Sequence, residues 1–154
     1  MRILSYKILF FVIFGFTELR SNEFALIHSK NFSNLLVKLA VDDNTKQKGL
    51  MNMKKLNTNN GMLFIYDVPQ IVKFWMYNTF IPLDIIFIDD RNIISSVKEG
   101  VPMKKKLISS EIKISAVLEV PRCCAKKLKV KKGQVFSWII KKTAEIKNIR
   151  YFHC

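Results

Sequence analysis

The chain has 154 residues, 49% of them apolar and 12 of them Phe, which is enough for one domain with a real core plus a short appendage. Its net charge of +14 comes mostly from Lys scattered along the whole length. A nucleic-acid protein concentrates Arg and Lys on one element with aromatics interleaved, so the composition reads as a solvated basic surface and argues against nucleic acid.

Met1 to Lys7 form a short cationic segment, and Ile8 to Phe16 an uninterrupted apolar run. The run is shorter than the ~20 apolar residues of a membrane-spanning helix and has the length of a secretory signal core. Residues 1–22 are therefore expected to be a signal peptide, processed between Thr17 and Ala25, or an uncleaved membrane anchor. A buried first helix is the competing account. The expected location is periplasmic or secreted, or held at the membrane by the uncleaved segment. Residues 23–154 are expected to be a single β-rich domain. Losing residues 1–22 removes Arg2, Lys7, Arg20 and Glu18, a net two positive charges, and leaves +12. The basicity belongs to the domain.

Glu23 to Ser29 is a short strand candidate, and Leu35 to Val41 alternates with Val37, Leu39 and Val41 on one face. Asp42 reads as the N-cap of a helix over Thr45 to Lys54, its carboxylate accepting from the first free N–H groups. Gly49 would sit inside that helix at a cost of ~1 kcal/mol against Ala, a sign that another element packs on the backbone there. Asn57 to Gly61 is a turn cluster. Strand-like segments follow at Met62 to Tyr66 and, after a turn at Asp67 to Gln70, at Ile71 to Tyr77. A break at Asn78 to Pro82 leads into Leu83 to Ile88, and a turn at Asp89 to Asn92 into Ile93 to Lys98. Residues 99 to 113 read as irregular, with Lys104, Lys105 and Lys106 exposed. Ser115 to Val120 is a strand stopped by Pro121, Arg122 to Lys129 one or two helical turns, Val135 to Ile140 a strand, and Ile146 to Phe152 a tail strand. This spacing predicts a mainly β fold, a single-domain antiparallel sandwich or barrel-like structure with one short helix near residues 43–54.

Cys123, Cys124 and Cys154 are an odd number, and adjacent cysteines pair only in a strained ring. A bridge from Cys123 or Cys124 to Cys154, or a dimer through the C-terminus, stays open. With no CxxC and only His28 and His153, too few ligands stand at metal-binding spacing, and no metal or other cofactor is expected.

The chemistry concentrates in Lys73 to Ile88, KFWMYNTFIPLDIIFI. On the strand from Leu83, both faces are apolar, so Asp84 is a carboxylate in a covered strand and needs hydrogen bonds. It can accept from backbone N–H groups or from side chains of the Asn78-Thr79 bend just before it, which would lock that turn, or stand at a pocket mouth. Before it, Trp75 and Tyr77 share one face and Phe74 and Met76 the other, so one pair can fill the core while the other lines a groove. Trp75, Tyr77, Asn78, Thr79 and Asp84 are the candidate binding site, suited to a small molecule, a sugar or a peptide. The expected role is a binding or accessory module of the cell envelope, monomeric or weakly dimeric. No nucleophile, base and orienter set can be assembled, so no catalytic residue is assigned. A small hydrolase using Asp84, with Glu119 or Asp67, is the second reading. The third is a basic surface that meets anionic lipid or nucleic acid through Lys104 to Lys106 and Lys126 to Lys132.

Four blocks carry a family resemblance: Gly49-Leu50-Met51, Gly61-Met62-Leu63-Phe64, Phe74-Trp75-Met76-x-Asn78-Thr79-x-Ile81-Pro82-Leu83-Asp84-Ile85-Ile86-Phe87-Ile88-Asp89, and Val117-Leu118-Glu119-Val120. In this order and spacing the chain resembles, over about residues 35 to 140, a small and often exported prokaryotic family known only as domain of unknown function 192. The resemblance implies a compact, mainly β fold and no established activity. It also marks departures. Tyr77 stands where the family carries Lys, Met53 where it shows Arg, Arg122-Cys123 where it has Ala-Gly, and Gln134 where it has Asp.

Overall fold

The computed structural model describes residues 23–56, 61–147 and 149–150. The signal or anchor expected over residues 1–22 lies outside them. Among the described residues no helix is long and apolar enough to cross a membrane.

The elements in chain order are β1 (Glu23–Ser29), β2 (Phe32–Ala40), α1 (Asp43–Lys48), β3 (Met62–Gln70), β4 (Lys73–Phe74), β5 (Leu83–Ile88), β6 (Ile94–Gly100), β7 (Ile108–Ser109), β8 (Ile114–Pro121), α2 (Cys124–Lys127) and β9 (Ser137–Lys142), with a 3-10 turn at Thr143–Glu145. Seven strands form one sheet in the order β6-β5-β8-β3-β2-β1-β9, and β4 pairs with β7 in a two-stranded ribbon. The sheet curls until its ends approach: Ile93 bridges Val135, and Phe136 N–H donates to Asn92 O at 2.9 Å. β6 and β9 themselves do not pair, so the sheet is sandwich-like and not a closed barrel.

The sheet is mixed, where an all-antiparallel one was expected: β2 and β3 run parallel, with Lys38 opposite Met62. The reason is the intervening helix, which returns the chain to the same end of the sheet before β3 begins. That helix is shorter than predicted. Asp42 caps it as expected, its Oδ1 accepting from Thr45 N–H at 2.9 Å. Gly49 ends the helix at φ 47°, a left-handed region open to glycine, and does not lie within it. The ring of Phe64 lies against Gly49, where an added Cβ would sit 3.4 Å from it.

Other boundaries moved as well. The expected turn at Asp67 to Gln70 belongs to β3, and only Lys73–Phe74 of the expected strand to Tyr77 pairs. Residues 146–147 and 149–150 are not strand, and the rest of the expected tail strand lies outside the described residues.

Two apolar cores flank the sheet. Period two sends Ile86 and Ile88 of β5 into one, with Leu63, Leu118, Val120 and Phe136. Leu83, Ile85 and Phe87 enter the other, with Phe64, Met76 and Leu50. Cys124, Ala125 and Leu128 of the α2 segment plug the first core. All six residues of β5 are buried, so Asp84 stands in a strand covered on both sides.

Candidate functional site

Asp84 lies opposite Val120 of β8 and Glu99 of β6, and so shares their face of the sheet. Its side chain meets the chain reversal after Pro121, where Cys123 takes φ 70° and α2 begins. The backbone N–H of Ala125 donates to Asp84 Oδ2 at 3.0 Å. Asp84 is 8% exposed, and this burial pushes its carboxyl above its ordinary value. The Ala125 amide, the Arg122 guanidinium and the Cys123 amide pull the other way, while the Glu99 carboxylate adds to the rise. Asp84 therefore fastens α2 to the sheet. The expected backbone N–H donor is thus present, but it comes from Ala125 and not from the Asn78-Thr79 bend, where the Thr79 N–H and hydroxyl donate to Met76 O and Tyr77 O.

Beside Asp84 the surface opens into a cleft of about 560 Å³ between β6 and the α2 segment. Its lining carries Glu99, Arg122, Cys123, Lys126, Lys129 and Lys131 together with Asp84. Arg122 Nη2 and Glu99 Oε2 pair at 2.6 Å. Lys98 also borders the cleft but spends its ammonium on Glu111. Cys123 is an exposed free thiol, whereas Cys124 is disulfide-bonded to a partner outside the described residues. Of the bridges left open by the sequence, those that would use Cys123 are excluded. A second hollow of about 510 Å³ lies beside His28 and Gln134, with Lys30 as its cation.

The five residues predicted as one site are divided. Phe74 and Met76 enter the core while Trp75 and Tyr77 stay outside, 50% and 42% exposed, with ring centroids 5.8 Å apart. Asn78 takes φ 52° in the turn and its carbonyl accepts from Asn52 N–H at 2.7 Å. Thr79 is buried, its N–H donating to Met76 O and its hydroxyl to Tyr77 O. Trp75 through Thr79 thus form one unit, and Asp84 belongs to the cleft, which none of the other four line.

Glu119 lies opposite Met62 and Ile85, hence on the other face from Asp84. The two carboxyls are separated by the sheet and cannot flank one bond, which removes the pairing considered for a hydrolase. Burial pushes the Glu119 carboxyl up to about 8, so it is mostly the neutral acid at neutral pH. Tyr66, on the same side, is raised to about 12, by burial first and then by the Glu119 charge. Among the described residues no group of three or more His, Cys, Asp or Glu could hold a metal ion.

Sequence reasoning missed the company of Asp84. Arg122-Cys123 stood out as departures and Lys126 to Lys132 as a basic run, but only the pairing of β5 with β8 brings them to one carboxylate.

No curated protein matches the chain. A crystal structure of a candidate transcription regulator from Sinorhizobium meliloti is 29% identical, with TM-score 0.70, over 79% of this chain and 97% of that one. A protein of unknown function from Novosphingobium aromaticivorans is 29% identical, with TM-score 0.67, over 75% of this chain and 84% of that one. The family model for domain of unknown function 192, described as an uncharacterized ACR, matches residues 25–138, and with the blocks around Gly49, Gly61, Trp75 and Glu119 inside that span the chain belongs to this family.

Proposed function

We propose that the protein is an exported ligand-binding module of the cell envelope whose ligand is a small anion held in the cleft beside Asp84. The observation that carries the reading is the charge of that cleft. Lys126, Lys129 and Lys131 converge on it, while its two carboxylates are already engaged, Asp84 by the Ala125 amide and Glu99 by its ion pair with Arg122. A carboxylate or phosphate entering the cleft meets cations that have exchanged little of their hydration for protein partners. It also meets the polar floor and the apolar edge of Val97 and Val130, the mixture that fixes small ligands. The cationic signal-like segment and apolar run of residues 1–16 support export.

Thermal denaturation with a panel of small carboxylates, phosphates and neutral sugars tests this. An anionic compound should raise the melting temperature in a dose-dependent way, and neutral analogues should not. Lys126→Glu with Lys129→Glu should weaken that compound about tenfold or more, since both side chains are exposed and contribute little to folding. Stabilisation that survives the double reversal would place the ligand elsewhere.

A further inference from the structure

We propose that the Trp75–Tyr77 loop and the lysine loop against it form a contact surface for an anionic lipid bilayer. The two loops are zipped together. Lys73 and Phe74 pair with Ser109 and Ile108. Met76 N–H then donates to Lys104 O at 3.1 Å, and Met103 N–H to Thr79 O at 3.1 Å. Below them Met76 is fully buried, its sulfur in the space left by Gly100, where an added Cβ would lie 2.7 Å from it. The loops are therefore anchored from beneath while their outer side chains are not covered.

Those outer side chains are of two kinds. Trp75, Tyr77, Phe80, Met103 and Leu107 are exposed apolar or amphipathic groups carried on adjoining segments. Lys73, Lys104, Lys105 and Lys106 are exposed around them, and Lys105 Nζ stands 5.9 Å from the Tyr77 ring centroid. Neither 71–82 nor 101–110 contains an Asp or Glu. An indole and a phenol are suited to the headgroup boundary, Phe, Leu and Met to the first acyl carbons, and an unopposed lysine cluster to anionic headgroups. The same four lysines oppose a symmetric contact between two copies, which would set like charges face to face.

The occupant is thus a bilayer surface, and the contact is independent of the anion cleft. The failure of one reading leaves the other standing. Sedimentation with phosphatidylglycerol–phosphatidylcholine vesicles and with phosphatidylcholine vesicles tests it on the full chain. Binding to the anionic vesicles should be about tenfold tighter or more and should weaken as salt rises. Trp75→Ala with Tyr77→Ala should lower that affinity about tenfold, and Lys104→Gln with Lys105→Gln and Lys106→Gln roughly 30- to 100-fold. Wild type and variants carry the same N-terminal segment, so its own affinity cancels in the comparison. A blue shift of tryptophan emission on anionic vesicles should disappear in Trp75→Phe, which places the indole in the boundary. Unchanged vesicle affinity in the Trp75/Tyr77 variant, equal affinity for neutral vesicles, or a dimer that dissociates only in that variant would each overturn the proposal.

Discussion

Two buried carboxyls one residue apart in register, Asp84 and Glu119, show how neighbours decide what an acid does. Asp84 accepts the Ala125 amide and sits near Arg122, and that hydrogen bond fastens α2. Asp84→Ala should cost about 1–3 kcal/mol, because it removes that acceptor and leaves a buried N–H. Asp84→Asn keeps an acceptor and should cost less. Equal melting temperatures for Asp84→Ala and wild type would end the fastening role. Glu119 has a raised pKa, from its ordinary 4.5 to about 8, so the folded chain holds a proton that the unfolded chain releases. Its contribution is fully present below about pH 4.5 and is lost as pH rises toward 8, the sign required when the native state binds more protons. Wild-type stability should therefore fall between about pH 5 and pH 8, by on the order of 3 kcal/mol. Glu119→Gln, neutral throughout, should flatten the profile. Urea denaturation at the two pH values checks this, and a variant as pH-dependent as wild type contradicts it.

Among the elements, the crossover from β2 to β3 depends on a glycine that periodicity could not explain. Gly61 has φ 155°, and a Cβ there would lie 1.8 Å from the Glu119 carbonyl oxygen. The contact is backbone against backbone, so nothing flexible can give way. Gly61→Ala should destabilise the fold by about 3 kcal/mol or more, read as a lower midpoint in urea. A midpoint within experimental error of wild type would mean that β3 and β8 can separate locally. Asp42 was legible for the opposite reason. An N-cap is a local event, fixed by a side chain and an amide three residues on, so sequence alone identifies it. The extent of α1 was not, because glycine is tolerated inside a helix as well as at its end, and here Gly49 takes a positive φ as the C-cap, with the Phe64 ring against it.

At the scale of the molecule, one curled sheet separates two cores and thereby two surfaces: the cationic cleft over α2 and the aromatic loops on the far side. Cys124 sits buried in the first core and is disulfide-bonded, while Cys123 beside it faces the cleft. Alkylation of the native, unreduced protein should therefore label Cys123 alone. Reduction should lower stability by about 2–4 kcal/mol. Labelling of a second cysteine without reductant would show that the bridge is absent in solution.

Although not every short-range pattern held, since Asp67 to Gln70 continue β3 and α1 stops before Gly49, what the sequence determined by itself was carried by such pattern. That covers the strand identity of Leu83–Ile88, the alternation that turns Phe74 and Met76 inward and Trp75 and Tyr77 outward, the cap at Asp42, and the family blocks. Period two and local hydrogen bonding are properties of neighbouring residues, and neighbours are what a sequence displays. Tertiary structure decided which distant groups meet. The β5–β8 pairing set Asp84 under α2 beside Arg122 and parted it from both Trp75 and Glu119, because a pleated strand sends adjacent residues to opposite faces and the Trp75 loop, though only nine residues before Asp84, is placed by its own anchors on the segment around Lys104.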